Sequence, residues 1–157
     1  MPVRAIFGPP KGDPVRGGLH VTVHLVPVFQ ERLVAFDLDQ GPIRGRWLPW
    51  AVIEFGQNPY EAASILADDW LDTPLNDLSL ADVLSLTVEG GGWELAIVYR
   101  AEVMELPMGR PGRQPAPYAV GAFDAIGAFE PVDLERWVGL RPQLADVAPA
   151  AQRELLF

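Results

Sequence analysis

The sequence predicts an α+β domain of the α/β/α sandwich kind, a mixed sheet with helices on its faces. Three observations lead there. The chain has 157 residues and a 49% apolar share, which suits one domain with a substantial core. Its extended segments alternate in polarity or are rich in β-branched residues, the two-residue period of strands. Its elements follow the order strands, helix, strands, helices, which a layered sheet accommodates.

Residues 1–18 carry Gly8-Pro9-Pro10 and Gly17-Gly18 and read as an arm before a single domain over 19–157. Residues 19–29 set His20, Thr22 and His24 against Val21, Val23 and Leu25, a strand pattern. A turn at Gln30-Glu31 leads to a second strand over 32–38, and Gly41-Pro42 breaks the chain. Residues 47–55 read as one further extended segment. Asn58 then offers an N-cap, Pro59 a first helical residue and Glu61 a first-turn acid, so a helix is expected from 59 to 71 or 72, stopped by Pro74. Residues 78–89 read mainly as strand, although 80–84 could be helical, and with a strand over 93–104 they look like a hairpin around Gly90-Gly91-Gly92. Residues 107–117 are too rich in proline to pack in a sheet and are expected as loop, followed by an extended stretch to 129. A short helix over 133–140 should turn Leu134, Trp137, Val138 and Leu140 toward the body. A last helix is expected over 142–156, broken near Pro149.

A net charge of −9 argues against nucleic acid as a partner. The absence of cysteine excludes disulfide scaffolds, cysteine zinc sites and thiol catalysis. Residues 1–18 lack the apolar segment of a leader, and no stretch reaches the ~18 apolar residues of a membrane span. A soluble, cytoplasmic protein without a membrane partner is the expectation.

The stretch Leu48-Pro49-Trp50-Ala51-Val52-Ile53-Glu54-Phe55-Gly56-Gln57-Asn58-Pro59-Tyr60-Glu61-Ala62-Ala63 resembles the opening of a Nudix box. That family typically reads L-P-G-G-x-x-E-x-G-E-x-P-x-E-A-A, and Leu48, Pro49, Glu54, Gly56, Pro59, Glu61, Ala62 and Ala63 match it. The run from Glu130 to Trp137 is similar to the family's approach to its C-terminal helix. The resemblance spans roughly residues 19–157 and implies the Nudix sandwich. It also implies a helix whose carboxylates hold Mg²⁺ or Mn²⁺ against a substrate pyrophosphate, because such ions want hard oxygen ligands.

The chain departs from the family where that chemistry resides. Laid on the pattern G-x5-E-x7-R-E-U-x-E-E-x-G-U, its residues are Ala51, Gln57, Ile65, Leu66, Ala67, Asp69, Trp70 and Asp72 at the defined positions up to the last Gly. Of the four acids, only Asp69 remains acidic. Helical geometry alone puts Glu61, Asp68 and Asp72 in one stripe with Asp69 beside it, and Leu66 and Trp70 on another side with Ala62 and Ala63. The acidic stripe is either a solvated face or a relocated metal site that Glu54 could join. Leu66 and Trp70 are either core or the filling of a former metal pocket.

Other constellations carry less. His20 and His24 stand about 13 Å apart by strand rise, too far to share an ion, and read as polar residues on one sheet face. The glycine run lacks the Lys-Ser/Thr of a phosphate loop. Ser64, Ser79 and Ser85 lie in no nucleophile-elbow context. Arg110 and Arg113 are solvated or meet a phosphate, with Arg44, Arg46 and Arg100 as alternatives. Trp47 and Trp50 flank Pro49 and either pack or stack on a base at a pocket mouth.

Three functions follow. The first is a Nudix-fold protein with a degraded box that binds a nucleotide-like ligand or a protein partner and hydrolyses little or nothing, without a cofactor. The second is a divergent hydrolase of nucleoside diphosphate-linked substrates using Mg²⁺ or Mn²⁺. The third is a structural homodimer. Candidate ligand contacts are Trp47, Trp50, Leu66, Trp70, Arg46 and Arg100; candidate metal ligands are Asp69, Asp68, Glu61, Asp72 and Glu54.

Overall fold

The computed structural model describes residues 19–41, 43–88, 92–119, 121–122 and 124–140. The expected arm at 1–18, the last helix at 142–156 and residues 90 and 91 of the glycine turn lie outside them. The elements are β1 (Leu19–Phe29), β2 (Arg32–Leu38), β3 (Gly45–Trp47), β4 (Trp50–Val52), α1 (Pro59–Trp70), β5 (Leu75–Val88), β6 (Gly92–Val103), β7 (Arg113–Tyr118) and α2 (Pro131–Val138). The strands form one seven-stranded sheet in the order β3-β2-β1-β6-β5, with β4 also on β1 and β7 also on β2. Strands β1 and β6 run parallel and every other pairing is antiparallel. A mixed sheet flanked by helices is the expected architecture.

Strand β1 organises both cores. Val23 and Leu25 join Phe36, Tyr99 and the α1 residues Ala63 and Leu66 on one side. Val26 and Val28 join Leu134, Trp137 and Val138 of α2 on the other. A strand covered on both faces has no solvent side, so even Thr22 and His24 are buried. Pro27 survives in this central strand because of where its missing N–H falls. Leu25 N donates to Pro49 O of the β4 side at 2.9 Å, and two residues on the same edge faces the gap between β4 and β2. The β1–β2 turn uses Gln30 and Glu31 at φ 48° and 64°, the left-handed pair that matches strand twist in a two-residue hairpin.

Four expectations change. The segment 47–55 is divided at Leu48-Pro49: β3 pairs with β2 and β4 with β1, so the chain switches partners there, and Leu48 drops into the α2-side core. The proline-rich loop contains β7, paired with β2 over residues 113–118. Pro115 and Pro117 are two apart, so both missing donors fall on the same edge and the other edge stays free to pair. Helix α2 starts earlier, at Pro131, and ends at Val138; Leu134, Trp137 and Val138 are buried but Leu140 is 36% exposed, because the helix stops before it. Beyond Tyr118 the described residues up to 129 form no strand, only a bridge between Ile126 and Phe129.

Helix α1 begins as the sequence indicates. Asn58 Oδ1 accepts from Tyr60 N at 2.8 Å and Glu61 N at 3.5 Å, and Pro59 fills the first position. Its Ala62, Ala63, Leu66 and Ala67 are buried against the sheet. After Leu71 the chain leaves the helix at Asp72, whose φ is 46°.

Candidate functional site

Between β4, the loop after it and the flank of α1 lies a cleft of about 370 Å³. Gln57, Leu66, Asp69 and Trp70 all line it, together with Trp50 and Glu54. These first four are the positions where the box pattern places acids, so the folded chain brings all of them to one place. Leu66 is 4% exposed and belongs to the α1-side core, while half-buried Trp70 meets Phe36 edge-on at 5.2 Å. Core packing and pocket lining are therefore the same surface here. The outermost core layer is the cleft floor.

Asp69 is 57% exposed and already has cationic partners. Arg110 Nη1 donates to its Oδ1 at 3.3 Å, and Arg113 Nη1 lies 3.6 Å from Oδ2. Arg113 Nη2 also donates to the Asp69 carbonyl at 2.8 Å, and its guanidinium stacks on the Trp70 ring at 4.3 Å. Arg113 opens β7 and Arg110 bridges to it across the turn just before that strand, which is why the loop reading of that segment hid their position.

The donor set does not fit a divalent cation. Leu66 and Trp70 offer no oxygen, Gln57 offers a neutral one, and the Asp69 carboxylate faces two guanidinium groups. Among the described residues Glu54 is the only other acid lining the cleft. Among the described residues no group of three or more His, Asp or Glu is placed to hold a metal ion. The relocated stripe does not assemble either. Asp68 lines a different cavity of about 390 Å³ with Tyr60, Ser64 and Asp77. Asp72 follows the helix in a left-handed conformation and so leaves the helical stripe, and exposed Glu61 lines neither cavity.

Three ligand candidates stand apart from the cleft lining. Arg100 is 3% exposed on the α2 side, donating to Glu102 at 2.9 Å and to Val138 O at 3.3 Å, so it is a structural tie between sheet and helix. Arg46 stacks over Tyr118 at 4.2 Å and reaches Asp37 at 3.4 Å. Trp47 sits opposite Phe36 in β3 and donates to Arg44 O at 2.9 Å.

The sequence reading missed a buried polar cluster under α2. Thr22 Oγ1 donates to Glu94 Oε1, and His24 Nε2 lies 3.1 Å from Thr22 Oγ1 and 3.4 Å from Glu94 Oε1. Phe129 covers the imidazole edge-on at 5.0 Å. His24 and Glu94 are 2% and 1% exposed, so the sheet face that carries His24 is covered there. The signal was available in β6, where Glu94 and Arg100 interrupt an apolar strand that has neighbours on both edges and helices on both faces. Among the described residues no helix is long and apolar enough to cross a membrane.

No family model matches the chain, and no curated protein matches it in sequence. Solved structures do. A MutT Nudix hydrolase from Burkholderia pseudomallei is 18% identical, with a TM-score of 0.62 over 75% of this chain and 97% of that one. A MutT protein from Methanosarcina mazei Go1 is 9% identical, with a TM-score of 0.63 over 78% of this chain and 95% of that one. An ADP compounds hydrolase is 17% identical, with a TM-score of 0.51 over 68% of this chain and 60% of that one. At such identities the likeness carries the fold, and that fold is the one the box-like stretch implied.

Proposed function

We propose, with the Nudix fold as premise, that this chain binds a nucleotide-like ligand in the α1 cleft and hydrolyses pyrophosphate bonds poorly or not at all. The observation that carries this reading is the lining of the cleft. Four box positions converge there and bring a single carboxylate, Asp69, which is engaged by Arg110 and Arg113. Nudix hydrolysis needs cations between the phosphate oxygens and the attacking water. Leu66 and Trp70 withdraw two ligands and replace them with surface that cannot solvate an ion.

Ligand binding is supported by the cleft itself. Its volume of about 370 Å³ falls within the ~300–1,000 Å³ usual for small-molecule sites, and an apolar floor with a few polar groups is their usual lining. The indole ring of Trp50 offers a surface on which a base can stack, and Trp70, under Arg113, walls the cleft beside it. One structural neighbour is named for its action on ADP compounds, which makes nucleoside diphosphates the natural probes.

The test is a panel of nucleoside di- and triphosphates, ADP-ribose-like sugars and dinucleoside polyphosphates, assayed with Mg²⁺ and then Mn²⁺. The expected result is no turnover, with nucleotide binding that Trp50→Ala or Trp70→Ala weakens. Metal-dependent turnover that Asp69→Ala abolishes would restore the conventional hydrolase reading.

A further inference from the structure

Arg110 and Arg113 are the ends of a two-residue turn, Pro111-Gly112. Arg110 N donates to Arg113 O at 3.0 Å, and Arg113 N donates to Arg110 O at 2.9 Å. Residues that exchange both backbone hydrogen bonds lie directly opposite, and their side chains leave the hairpin on the same face. Gly112 takes φ +79°, which an L side chain resists, and a Cβ there would come within 2.9 Å of Gln40. Asp39 N donates to Gly112 O at 3.2 Å, and Gln114 Nε2 donates to Arg110 O at 2.8 Å. The turn is thus tied down on both sides, and the two guanidinium groups are delivered together to the end of α1.

Their charge is only half balanced at that point. Two cations face one carboxylate, Asp69, and the contacts are a 3.3 Å hydrogen bond and a 3.6 Å ion pair at a side chain that is 57% exposed. The Arg110–Asp69 pair is exposed on both sides, and such pairs are weak enough to exchange for a better anion; Arg113 is 17% exposed and is held at 3.6 Å. Each guanidinium has five N–H donors in a planar fork that matches phosphate oxygens. Arg113 is pre-oriented by its stacking on Trp70 and its bond to the Asp69 carbonyl, so little freedom is lost when it binds an anion.

We infer that the Arg110–Arg113 hairpin is a metal-independent phosphate clamp, placed beside the cleft where a Nudix enzyme keeps its cations. It rests on the reading of the cleft as a nucleotide-like site and assigns the charge that holds the phosphates. In the free protein Asp69 occupies the clamp, and the incoming diphosphate displaces it. Glu54, the other acid on the cleft, opposes the ligand and limits its affinity.

Calorimetric titration with inorganic pyrophosphate, ADP and adenosine, first in EDTA and then in Mg²⁺, tests the inference. Pyrophosphate and ADP should bind in EDTA. Arg110→Gln and Arg113→Gln should each weaken both by about tenfold or more, the loss expected for a charge-assisted hydrogen bond, and leave adenosine unchanged. Asp69→Asn should tighten pyrophosphate binding, because it removes the competing anion; a metal site would respond in the opposite direction. If Arg113→Gln fails to fold by circular dichroism, Arg110→Gln at an exposed position carries the test. ADP binding that survives both arginine substitutions, that requires Mg²⁺, or that Asp69→Asn weakens overturns the clamp and leaves the nucleotide site standing. Binding of neither ADP nor pyrophosphate under any condition overturns both.

Discussion

Leu66→Glu puts a carboxylate on α1 where the box pattern has an acid, and its cost can be worked out from the structure. Leu66 is 4% exposed in a cluster with Ala62, Ala63 and Phe36. Losing its burial costs about 1.5–3 kcal/mol. A carboxylate left in that cluster avoids desolvation by taking a proton, so its folded pKa rises above the unfolded value. At about 1.36 kcal/mol per pKa unit from a reference near 4.3, protonation costs about 3.7 kcal/mol at pH 7 and about 1 kcal/mol at pH 5. The total is roughly 5–7 kcal/mol at pH 7 and roughly 2.5–4 kcal/mol at pH 5. The sign follows from linkage. With a raised folded pKa the folded state holds more protons, so the variant loses stability as pH rises. Because Leu66 borders the cleft, partial solvation trims the pH-dependent part toward about 2 kcal/mol. Urea unfolding of the variant against wild type at both pH values measures it, with Leu66→Gln as the uncharged control that should show no pH slope. A loss below about 1 kcal/mol, or one equal at pH 5 and pH 7, would refute the claim that the cleft floor is core.

Two further outcomes follow from the α2 side. Trp137, 0% exposed and edge-on to Phe129 at 5.1 Å, should cost about 3–5 kcal/mol as Trp137→Ala in chemical denaturation; a loss under about 1 kcal/mol would show the ring dispensable. Burial pushes the Asp82 carboxyl up, but hydrogen bonds from Arg136 at 2.7 Å and Trp137 at 3.0 Å outweigh it and hold the group below its ordinary 3.8. A lowered folded pKa means stability present above the unfolded value and lost as pH falls through the folded one, so Asp82→Asn should flatten the wild type's decline below about pH 4. A pH profile identical to wild type would count against the tie between β5 and α2.

Much of the fold is legible in the residues because its signals are local. Asn58-Pro59 with Glu61 marks the start of α1 through its own backbone donors, and Gln30-Glu31 between two apolar runs marks the β1–β2 hairpin. The lack of acids at three positions of the box pattern is equally local, since Gln57, Leu66 and Trp70 carry no carboxylate wherever they lie. What these residues could not specify was distance between segments far apart in the chain. Arg113 reaches Asp69 across 44 residues only because β7 adds to β2, an edge position that tolerates prolines which a rule for strand interiors rejects. Glu94 meets Thr22 and His24 only because β1 and β6 pair in parallel, a register without a local turn to announce it. Asp68 and Asp69 are chain neighbours, yet about 100° of helical rotation sends one to each of two cavities. The sequence by itself determined which groups were missing from α1. Sheet pairing decided which groups surround Asp69, because charge acts through space and the chain brings Arg110 and Arg113 to it only when the sheet has formed.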